Sequence, residues 1–489
     1  MRILMATPEC FPFVTTGGLG EMMSGFVKAL AQRGHDVHVG LPLYGSVCPS
    51  GDWTKVDNVP VPFGGQLRQC RVWSTCSEGV KFDFIEYHDY FGDRKIYGSE
   101  NEGERFAFFC RALLAVCGRL RWFPDVIHAH DWTTALLPVY LNTTLAHTPL
   151  RQTATVFTIH NLNYQGFFAP DLLYRIGIPA SEFRSDSLEA WGRVNFLKGA
   201  LYHATKLTTV SPHYAKEIQT PSFGCGLDDV LRFKAADLIG ILNGIDTVRW
   251  DPSNDPSIAA HYTHHHLEPK AVCKQALRQV LRLSDEPVPL FGVVSRLCEQ
   301  KGLDVLLEIL PYLLRNLSMQ LIVMGSGEPS WEARLRDLEH QFPNYLRVKI
   351  GYDANLAHQI YAGCDCCIMP SRFEPCGLNQ MYALRYGMLP IVRETGGLAD
   401  TVENCDETHF CGCGFVFRDL TNDALYNTIG WACATYFDRP QLFRTLQQNA
   451  MQRDFSWDRS VQAYEEVYRW AVEQRRGVRL GKVKKQIFG

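Results

Sequence analysis

Glycine-rich loops precede predicted helices in both halves of the chain. The first, TTGGLGE, spans residues 15–21 and contains Gly17, Gly18 and Gly20; the second, ETGGLAD, spans residues 394–400. Backbone N–H groups at the start of a helix attract anions, so each loop is suited to hold a phosphate. For the first loop, a tight turn that needs positive φ angles is the structural alternative. Its spacing is not GxGxxG, so it does not predict a dinucleotide site.

The cations that an anion needs come from the second half of the chain. No lysine or arginine lies between Arg2 and Lys28, whereas Arg296 lies at the carboxyl end of a predicted strand and Lys301 at the start of the following helix. Two cations at such a position suit a diphosphate. A solvated surface pair is the alternative interpretation.

The stretch SRFEPCGLNQM, residues 371–381, adds polar groups to the same half. Pro375 suits a first helical turn, so the amides that follow it would be exposed to ligand oxygens. Glu374 is a candidate acceptor for sugar hydroxyls. This stretch therefore predicts a second set of ligand contacts.

Alternating strands and helices must position these residues. One series contains predicted strands at 2–7, 35–42, 125–131, 153–161 and 206–212, and a second series begins at 289–297. Two such series predict two doubly wound α/β domains. We place the hinge near 240–260. Ligands bind beyond the carboxyl ends of the strands in such sheets, so we expect the site in a cleft between the domains.

Composition limits the function classes. The chain has 489 residues, 46% of them hydrophobic, and a formal net charge of -3. This charge gives no reason to expect nucleic acid or an anionic membrane as a partner. No secretory pattern or apolar run of roughly 20 residues is present, and the 17 cysteines show no disulfide or zinc pattern, so we expect reduced thiols and a cytoplasmic location. The CxxC of Cys364 and Cys367 is interpreted as core packing. The sequence sets no oligomeric state.

Seven ordered motifs carry a resemblance. TTGGLGE, HAHDW, TIHNLNYQG, LNGID, VSRLCEQKGLD, SRFEPCGLNQMYALRYG and TGGLADTV occur in this order over nearly the whole chain. Together they resemble the bacterial glycogen synthase and plant starch synthase family. The resemblance implies a GT-B fold, in which two Rossmann-like doubly wound domains face each other across a cleft. It implies an N-terminal domain of residues 1–245, a C-terminal domain of 246–457, and a helix of 458–474 that crosses back to the first domain. The basic tail of 475–489 lies beyond the family match, and we expect it to be disordered.

The resemblance also implies the reaction. Glucose would pass from a nucleotide sugar, usually ADP-glucose, to the non-reducing 4-hydroxyl end of an α-1,4-glucan, glycogen or starch, with retention of configuration. No metal or other cofactor is implied. Arg296 and Lys301 would stabilise the departing diphosphate, and Glu374 would hold hydroxyls of the transferred glucose together with the amides of Cys376 and Gly377.

Further residues receive roles from the same resemblance. His160 would lie under the anomeric carbon, with a buried core histidine as the alternative. The remaining candidates are grouped by side of the reaction: Asp131, Trp132 and Tyr164 for the acceptor, Asp131 also being catalytic, and Thr15, Gly17, Gly18, Asn243, Tyr352, Leu378 and Asn379 for the donor. Ordinary packing is the alternative for Tyr352.

Two residues depart from the family pattern in the opening loop. Thr15 occupies the position where the family usually has lysine, and Glu21 replaces an aspartate. Loss of one charge-assisted contact costs about 1.5–3 kcal/mol, roughly ten- to a hundredfold in rate. Thr15 supports one alternative to an active glucan synthase, a catalytically weakened glucan-binding or regulatory homologue. A retaining GT-B transferase that uses UDP-glucose is a further alternative, because the sequence does not decide between ADP-glucose and UDP-glucose.

Overall fold

The computed structural model describes residues 1–93 and 95–478, and the chain divides into two compact units. The first unit comprises Met1–Gly244 together with the chain from Trp457, and the second comprises Ile245–Ser456. No helix in the described part of the chain has the length and apolar character needed to cross a membrane.

The first unit is built on a nine-stranded sheet with a small three-stranded sheet beside it. Its strands are β1 (Arg2–Ala6), β2 (Asp36–Pro42), β3 (Thr54–Phe63), β4 (Gln66–Ser77), β5 (Val80–Glu86), β6 (Val126–His130), β7 (Ala154–Ile159), β8 (Phe167–Phe168), β9 (Glu189–Ala190), β10 (Arg193–Asn195), β11 (Lys206–Thr209) and β12 (Leu238–Gly240). Its α-helices within Met1–Gly244 are α1 (Gly18–Gln32), α2 (His88–Phe91), α3 (Glu102–Arg119), α4 (Leu136–Asn142), α5 (Leu172–Arg175), α6 (Phe196–His203), α7 (Pro212–Glu217) and α8 (Asp228–Phe233).

The large sheet has the order β12-β11-β7-β6-β1-β2-β5-β4-β3. All neighbours from β12 to β5 are parallel, and β4 and β3 extend the sheet antiparallel. The chain runs from β1 to β2 on one side and continues with β6 on the other. The order therefore reverses between β1 and β6, where a doubly wound sheet opens a crevice at the carboxyl ends of its strands.

The second unit contains one parallel sheet of six strands. They are β13 (Leu290–Val294), β14 (Gln320–Gly325), β15 (Leu346–Ile350), β16 (Cys366–Met369), β17 (Leu389–Arg393) and β18 (Phe415–Phe417). The helices are α9 (Lys270–Leu281), α10 (Leu303–Asn316), α11 (Pro329–Gln341), α12 (Ala354–Gly363), α13 (Asn379–Arg385), α14 (Gly396–Thr401), α15 (Asn422–Asp438) and α16 (Pro440–Met451). The order β15-β14-β13-β16-β17-β18 reverses between β13 and β16.

The last helix, α17 (Trp457–Arg476), packs in the first unit against α1. Phe26 stacks on Trp457 at a centroid distance of 5.2 Å and lies against Tyr464 at 4.5 Å. A Cβ on Gly25 would lie 2.2 Å from the indole nitrogen of Trp457, so only glycine permits this approach. An aromatic contact with a glycine opposite it thus fixes α17 on α1.

The helix extends beyond the predicted end at residue 474. Arg475 donates to the backbone oxygen of Arg151 and to Asn142, and Arg476 donates to Asp125. The first two residues of the predicted tail therefore belong to α17, because hydrogen bonds within the first unit hold their guanidinium groups. The tail from residue 479 lies outside the described residues.

Candidate active site

The predicted site residues follow the carboxyl ends of parallel strands in both units. In the first unit they come after β1, β6, β7 and β12; we call them the first-unit cluster, Thr15, Gly17, Gly18, Asp131, Trp132, His160, Tyr164 and Asn243. In the second unit they come after β13, β15 and β16; we call them the second-unit cluster, Arg296, Lys301, Tyr352, Glu374, Cys376, Gly377, Leu378 and Asn379. Each cluster contains residues that follow both of the strands at which the strand order of its sheet reverses.

The first glycine loop has extended backbone at Gly17, and its last four residues, from Gly18, form the start of α1. Gly17 has φ -177°, a value any residue adopts, and among the described glycines neither Gly18 nor Gly20 has a positive φ. The positive-φ turn considered from the sequence is therefore wrong. Gly20 is required for space, because a Cβ there would lie 2.5 Å from the Thr15 hydroxyl oxygen. Thr15 and both leading glycines are solvent-exposed, as a ligand-binding loop requires.

A buried carboxylate that the sequence did not reveal anchors this loop. Glu9 is 3% exposed and accepts hydrogen bonds from the Thr16 N–H at 2.6 Å and from the Tyr97 hydroxyl at 3.0 Å. The Thr15 hydroxyl donates to the backbone oxygen of Gly17 at 3.1 Å. The loop therefore has a defined shape without a lysine, but Thr15 supplies no charge to it.

Asp131 and His160 lie together at the ends of β6 and β7. The Asp131 carboxylate accepts the His160 backbone N–H at 2.7 Å and that of Asn161 at 3.4 Å. Burial raises the pKa of Asp131 to about 7, although these two hydrogen bonds oppose the shift and the Glu9 charge adds to it. Asp131 also has φ 56° and ψ -178°, a strained conformation for a residue with a side chain, and such strain concentrates at functional sites.

The His160 imidazole is neutral near physiological pH. Burial lowers its pKa to about 3, and its Nε2 atom lies 2.9 Å from Nδ1 of His130. His160 is half-buried and belongs to a group of three neighbouring histidines, of which the sequence motif HAHDW supplies His128 and His130. The core-histidine alternative fits His128 and His130, which are fully buried, better than it fits His160.

Trp132, Tyr164 and Asn243 differ in their availability to a ligand. The Trp132 ring packs against Phe106, and the backbone of Gly166 approaches so closely that a Cβ would lie 2.6 Å from the indole. Part of the indole surface predicted to face a sugar is thus covered by protein. Tyr164 is 50% exposed and remains available. Asn243 is 7% exposed, and its Oδ1 has no partner among the described residues.

Lys301 and Glu374 form a buried ion pair in the second unit. Their Nζ and Oε2 atoms are 2.5 Å apart, and the Ser371 hydroxyl donates to the same carboxylate oxygen at 3.2 Å. Side-chain exposure is 16% for Lys301 and 6% for Glu374, so the solvated-pair alternative is wrong for Lys301. Arg296 is exposed, and its guanidinium donates to Gln300 at 3.1 Å. The two cations thus differ, one fixed by a carboxylate and one at the surface.

Glycines of the second glycine loop, and Gly302, allow close backbone contacts around the Glu374 stretch. The Gly397 N–H donates to the Glu374 backbone oxygen at 2.9 Å, and a Cβ on Gly396 would lie 1.9 Å from that oxygen. Gly302 has φ 65°, and a Cβ there would lie 1.9 Å from the oxygen of Pro370. The second glycine loop therefore packs directly against the backbone of the Glu374 stretch and supports it.

The stretch after Glu374 differs from its prediction. Helix α13 begins at Asn379, so Pro375 precedes the helix instead of forming its first turn, and the amides of 376–378 lie in the preceding loop. Gly377 has φ 71°, which allows this turn. The Asn379 amide donates to the Val294 oxygen at 2.5 Å, so it positions the end of β13.

Three cysteines and Tyr352 are the remaining residues of the second unit for which the sequence made a prediction. Cys376 is 5% exposed. Cys364 and Cys367 are 0% and 5% exposed, which confirms core packing for the CxxC. Tyr352 is 68% exposed at the end of β15, so it is not a core residue. Within residues 1–93 and 95–478, no group of three or more His, Cys, Asp or Glu side chains is arranged to hold a metal ion.

Comparisons with known proteins address the family. The model of the starch synthase catalytic domain matches residues 2–233, and that of glycosyl transferases group 1 matches residues 274–436. A glycogen synthase of Geobacter sulfurreducens is 43% identical over 98% of both chains, and one of Moorella thermoacetica is 41% identical over 97% of this chain and 98% of its own. The chain belongs to the glycogen synthase and starch synthase family. It is a glycosyltransferase with glycogen or starch synthase function, as the seven motifs predicted.

Solved structures confirm the GT-B fold class. The catalytic domain of starch synthase IV from Arabidopsis thaliana, bound to ADP and acarbose, superposes with a TM-score of 0.90 at 35% identity, covering 96% of this chain and 99% of its own. Sucrose-phosphate synthase from Thermosynechococcus elongatus superposes with a TM-score of 0.62 at 17% identity, covering 96% and 98%, and supports the fold alone.

Proposed function

We propose that this glycogen/starch synthase transfers glucose from ADP-glucose to the non-reducing 4-hydroxyl end of an α-1,4-glucan, with retention of configuration. The observation that carries the proposal is the second-unit arrangement of Arg296, Lys301 and Glu374 around the reversal of the sheet. The starch synthase IV structure that this chain resembles holds ADP and acarbose, which supports an adenine nucleotide and a glucan as ligand classes here.

Lys301 and Arg296 are proposed to neutralise the departing diphosphate. Preorganised positive groups aimed at developing charge are usually the largest contribution to catalysis. Lys301 is already oriented by Glu374, so its ammonium keeps donors for phosphate without first losing side-chain freedom. Glu374 is proposed to contact a glucose hydroxyl while it holds Lys301. In this mechanism the protein's own cations supply the neutralisation, and no metal is required.

The first unit is proposed to supply the groups around the anomeric carbon. An uncharged His160 can face a sugar ring that becomes positive in the transition state, whereas an imidazolium would repel it. Asp131 holds the His160 backbone and has further oxygen lone pairs for a sugar hydroxyl. Tyr164, which is half exposed, is proposed to contact the acceptor glucan.

Thr15 is the observation that favours a second candidate, a weakened or regulatory homologue. Its hydroxyl is bonded to the loop backbone and carries no charge toward a ligand. Against this candidate, the two second-unit cations and Glu374 are present in one arrangement that a binding module would not need. A cytoplasmic location is part of the leading proposal and is supported by the free thiols of all 17 cysteines.

The experiment supplies purified protein with glycogen primer and radiolabelled ADP-glucose or UDP-glucose, with Thr15→Lys in parallel. Incorporation from ADP-glucose by the wild type supports the proposal. Incorporation from UDP-glucose alone would overturn the donor assignment. Incorporation by the Thr15→Lys variant only would establish the weakened homologue.

A further inference from the structure

His130 is a buried histidine that the reaction outlined above leaves without a role. It is fully buried at the end of β6, and its Nδ1 atom lies 2.9 Å from Nε2 of His160. Its Nε2 atom has no hydrogen-bond partner among the described residues. A contact between two ring nitrogens needs one proton between them, so this geometry links the tautomers of the two residues.

The unpartnered nitrogen decides which residue donates. If His130 carried its proton on Nε2, a buried N–H would have no acceptor, a rare and costly arrangement. With the proton on Nδ1, His130 donates to His160 Nε2, and only an unprotonated ring nitrogen remains unpartnered. Both imidazoles are neutral, since burial lowers the pKa of each. A neutral His160 that accepts at Nε2 must carry its own proton on Nδ1.

We propose that His130 is a positioning residue that holds His160 in the Nδ1–H tautomer and fixes its ring orientation for glucosyl transfer. The inference rests on the proposed function of His160. His130 acts through His160, and the tautomer it imposes determines whether the free edge of the His160 ring presents a donor or an acceptor.

A second histidine fixes the ring of His130. His128 lies against it at a centroid distance of 4.1 Å, and both of its nitrogens are bonded, Nδ1 to the Tyr468 hydroxyl at 2.8 Å and Nε2 to the Thr158 hydroxyl at 2.6 Å. The backbone N–H of His130 donates to Thr134 at 2.6 Å. The ring of His130 therefore has a tilted aromatic neighbour, with an interplanar angle of 33°, that cannot rotate without loss of two hydrogen bonds.

Nitrogen NMR of the full-length protein tests the tautomer directly. Protein labelled with ¹⁵N-histidine is compared with His160→Gln to assign the His160 resonances, and long-range ¹H–¹⁵N correlations distinguish protonated from unprotonated ring nitrogens. We expect His160 protonated on Nδ1 in the wild type and a mixture of tautomers in His130→Leu. A wild-type His160 protonated on Nε2 would overturn the proposal.

Kinetics with a matched pair separate positioning from packing. Asparagine can place an amide N–H near the position of Nδ1, whereas leucine fills similar space without a donor. We expect His130→Leu to lower kcat at least tenfold with KM for ADP-glucose within twofold, and His130→Asn to retain kcat within about threefold of the wild type. Equal losses in both variants, matched by equal losses of thermal stability, would reduce His130 to a packing residue.

The two experiments also distinguish this inference from the proposed function. A wild type that transfers no glucose from either donor would contradict the proposed function, while the NMR result on the tautomer would still stand or fall by itself.

Discussion

The buried pair of Lys301 and Glu374 permits a prediction that separates stability from catalysis. The two charged atoms are 2.5 Å apart, and both side chains are largely removed from water. Removal of one partner leaves an uncompensated buried charge, which costs about 3–5 kcal/mol, whereas replacement of both by neutral groups of similar volume is often nearly neutral. The perturbation is therefore a cycle of Lys301→Met, Glu374→Gln and the double variant.

We expect each single variant to lower the free energy of unfolding by about 3–5 kcal/mol and the double variant by less than about 1.5 kcal/mol. Urea-induced unfolding followed by tryptophan fluorescence measures these differences. Turnover behaves differently, because the ammonium proposed to contact the diphosphate is absent from both Lys301→Met and the double variant. We expect both to lose at least tenfold in labelled glucose transfer.

Lys274→Met is the matched control. Lys274 pairs with Asp365 at 2.6 Å with similar burial. Asp365, however, immediately precedes β16 and so lies at the amino ends of the strands, away from the candidate site at their carboxyl ends. We expect a comparable loss of stability and turnover within twofold of the wild type. Recovery of turnover together with stability in the double variant would refute our reasoning, since the pair would then be structural only.

Three further predictions follow from the geometry. Arg296→Ala should lower turnover at least tenfold, because it removes a cation proposed to neutralise the diphosphate, and should leave unfolding unchanged, because the side chain is exposed. Arg336, also exposed, provides the control variant Arg336→Ala, and equal turnover in both variants would contradict the role of Arg296. The pKa of Asp131 is about 7 in the folded state and roughly 4 in the unfolded state. Between pH 4 and pH 7 the Asp131 carboxyl is therefore protonated in the folded state and ionised in the unfolded state. Stability should thus fall by up to about 4 kcal/mol as pH rises from 4 to 7, and thermal midpoints of Asp131→Asn should lack that part of the dependence; identical profiles would disprove it. Gly20→Ala should destabilise the protein by about 1–3 kcal/mol because of the Thr15 contact, whereas Gly17→Ala, with open space around its Cβ, should unfold like the wild type; equal midpoints would contradict the crowding.

The fold class could be predicted because parallel strands in doubly wound sheets carry a strong local signal. Segments such as 2–7 and 289–297 are short apolar runs followed by helical periodicity, and both are central strands in the structure. The end of α17 was missed by two residues, because the hydrogen bonds of Arg475 and Arg476 are made with residues more than 300 positions away.

The types of site residue could be predicted, but their partners could not. Arg296, Lys301 and Glu374 were assigned as separate contacts, and only the structure shows that Lys301 and Glu374 bind each other across 73 positions. His130 lies within the motif HAHDW but received no role from the sequence, because the role proposed for it depends on a contact with His160, which follows the neighbouring strand β7. Glu9 gave no signal, since a single acidic residue in a loop does not reveal that it is buried.

The rate of labelled glucose transfer from ADP-glucose to glycogen, measured after divalent cations are removed with a chelator, tests most directly whether the protein's own cations neutralise the leaving diphosphate. We predict a wild-type rate that is unchanged by the chelator and that falls at least tenfold in Arg296→Ala and in Lys301→Ala. A chelator-sensitive wild-type rate, or near-normal rates in both variants, would contradict this mechanism.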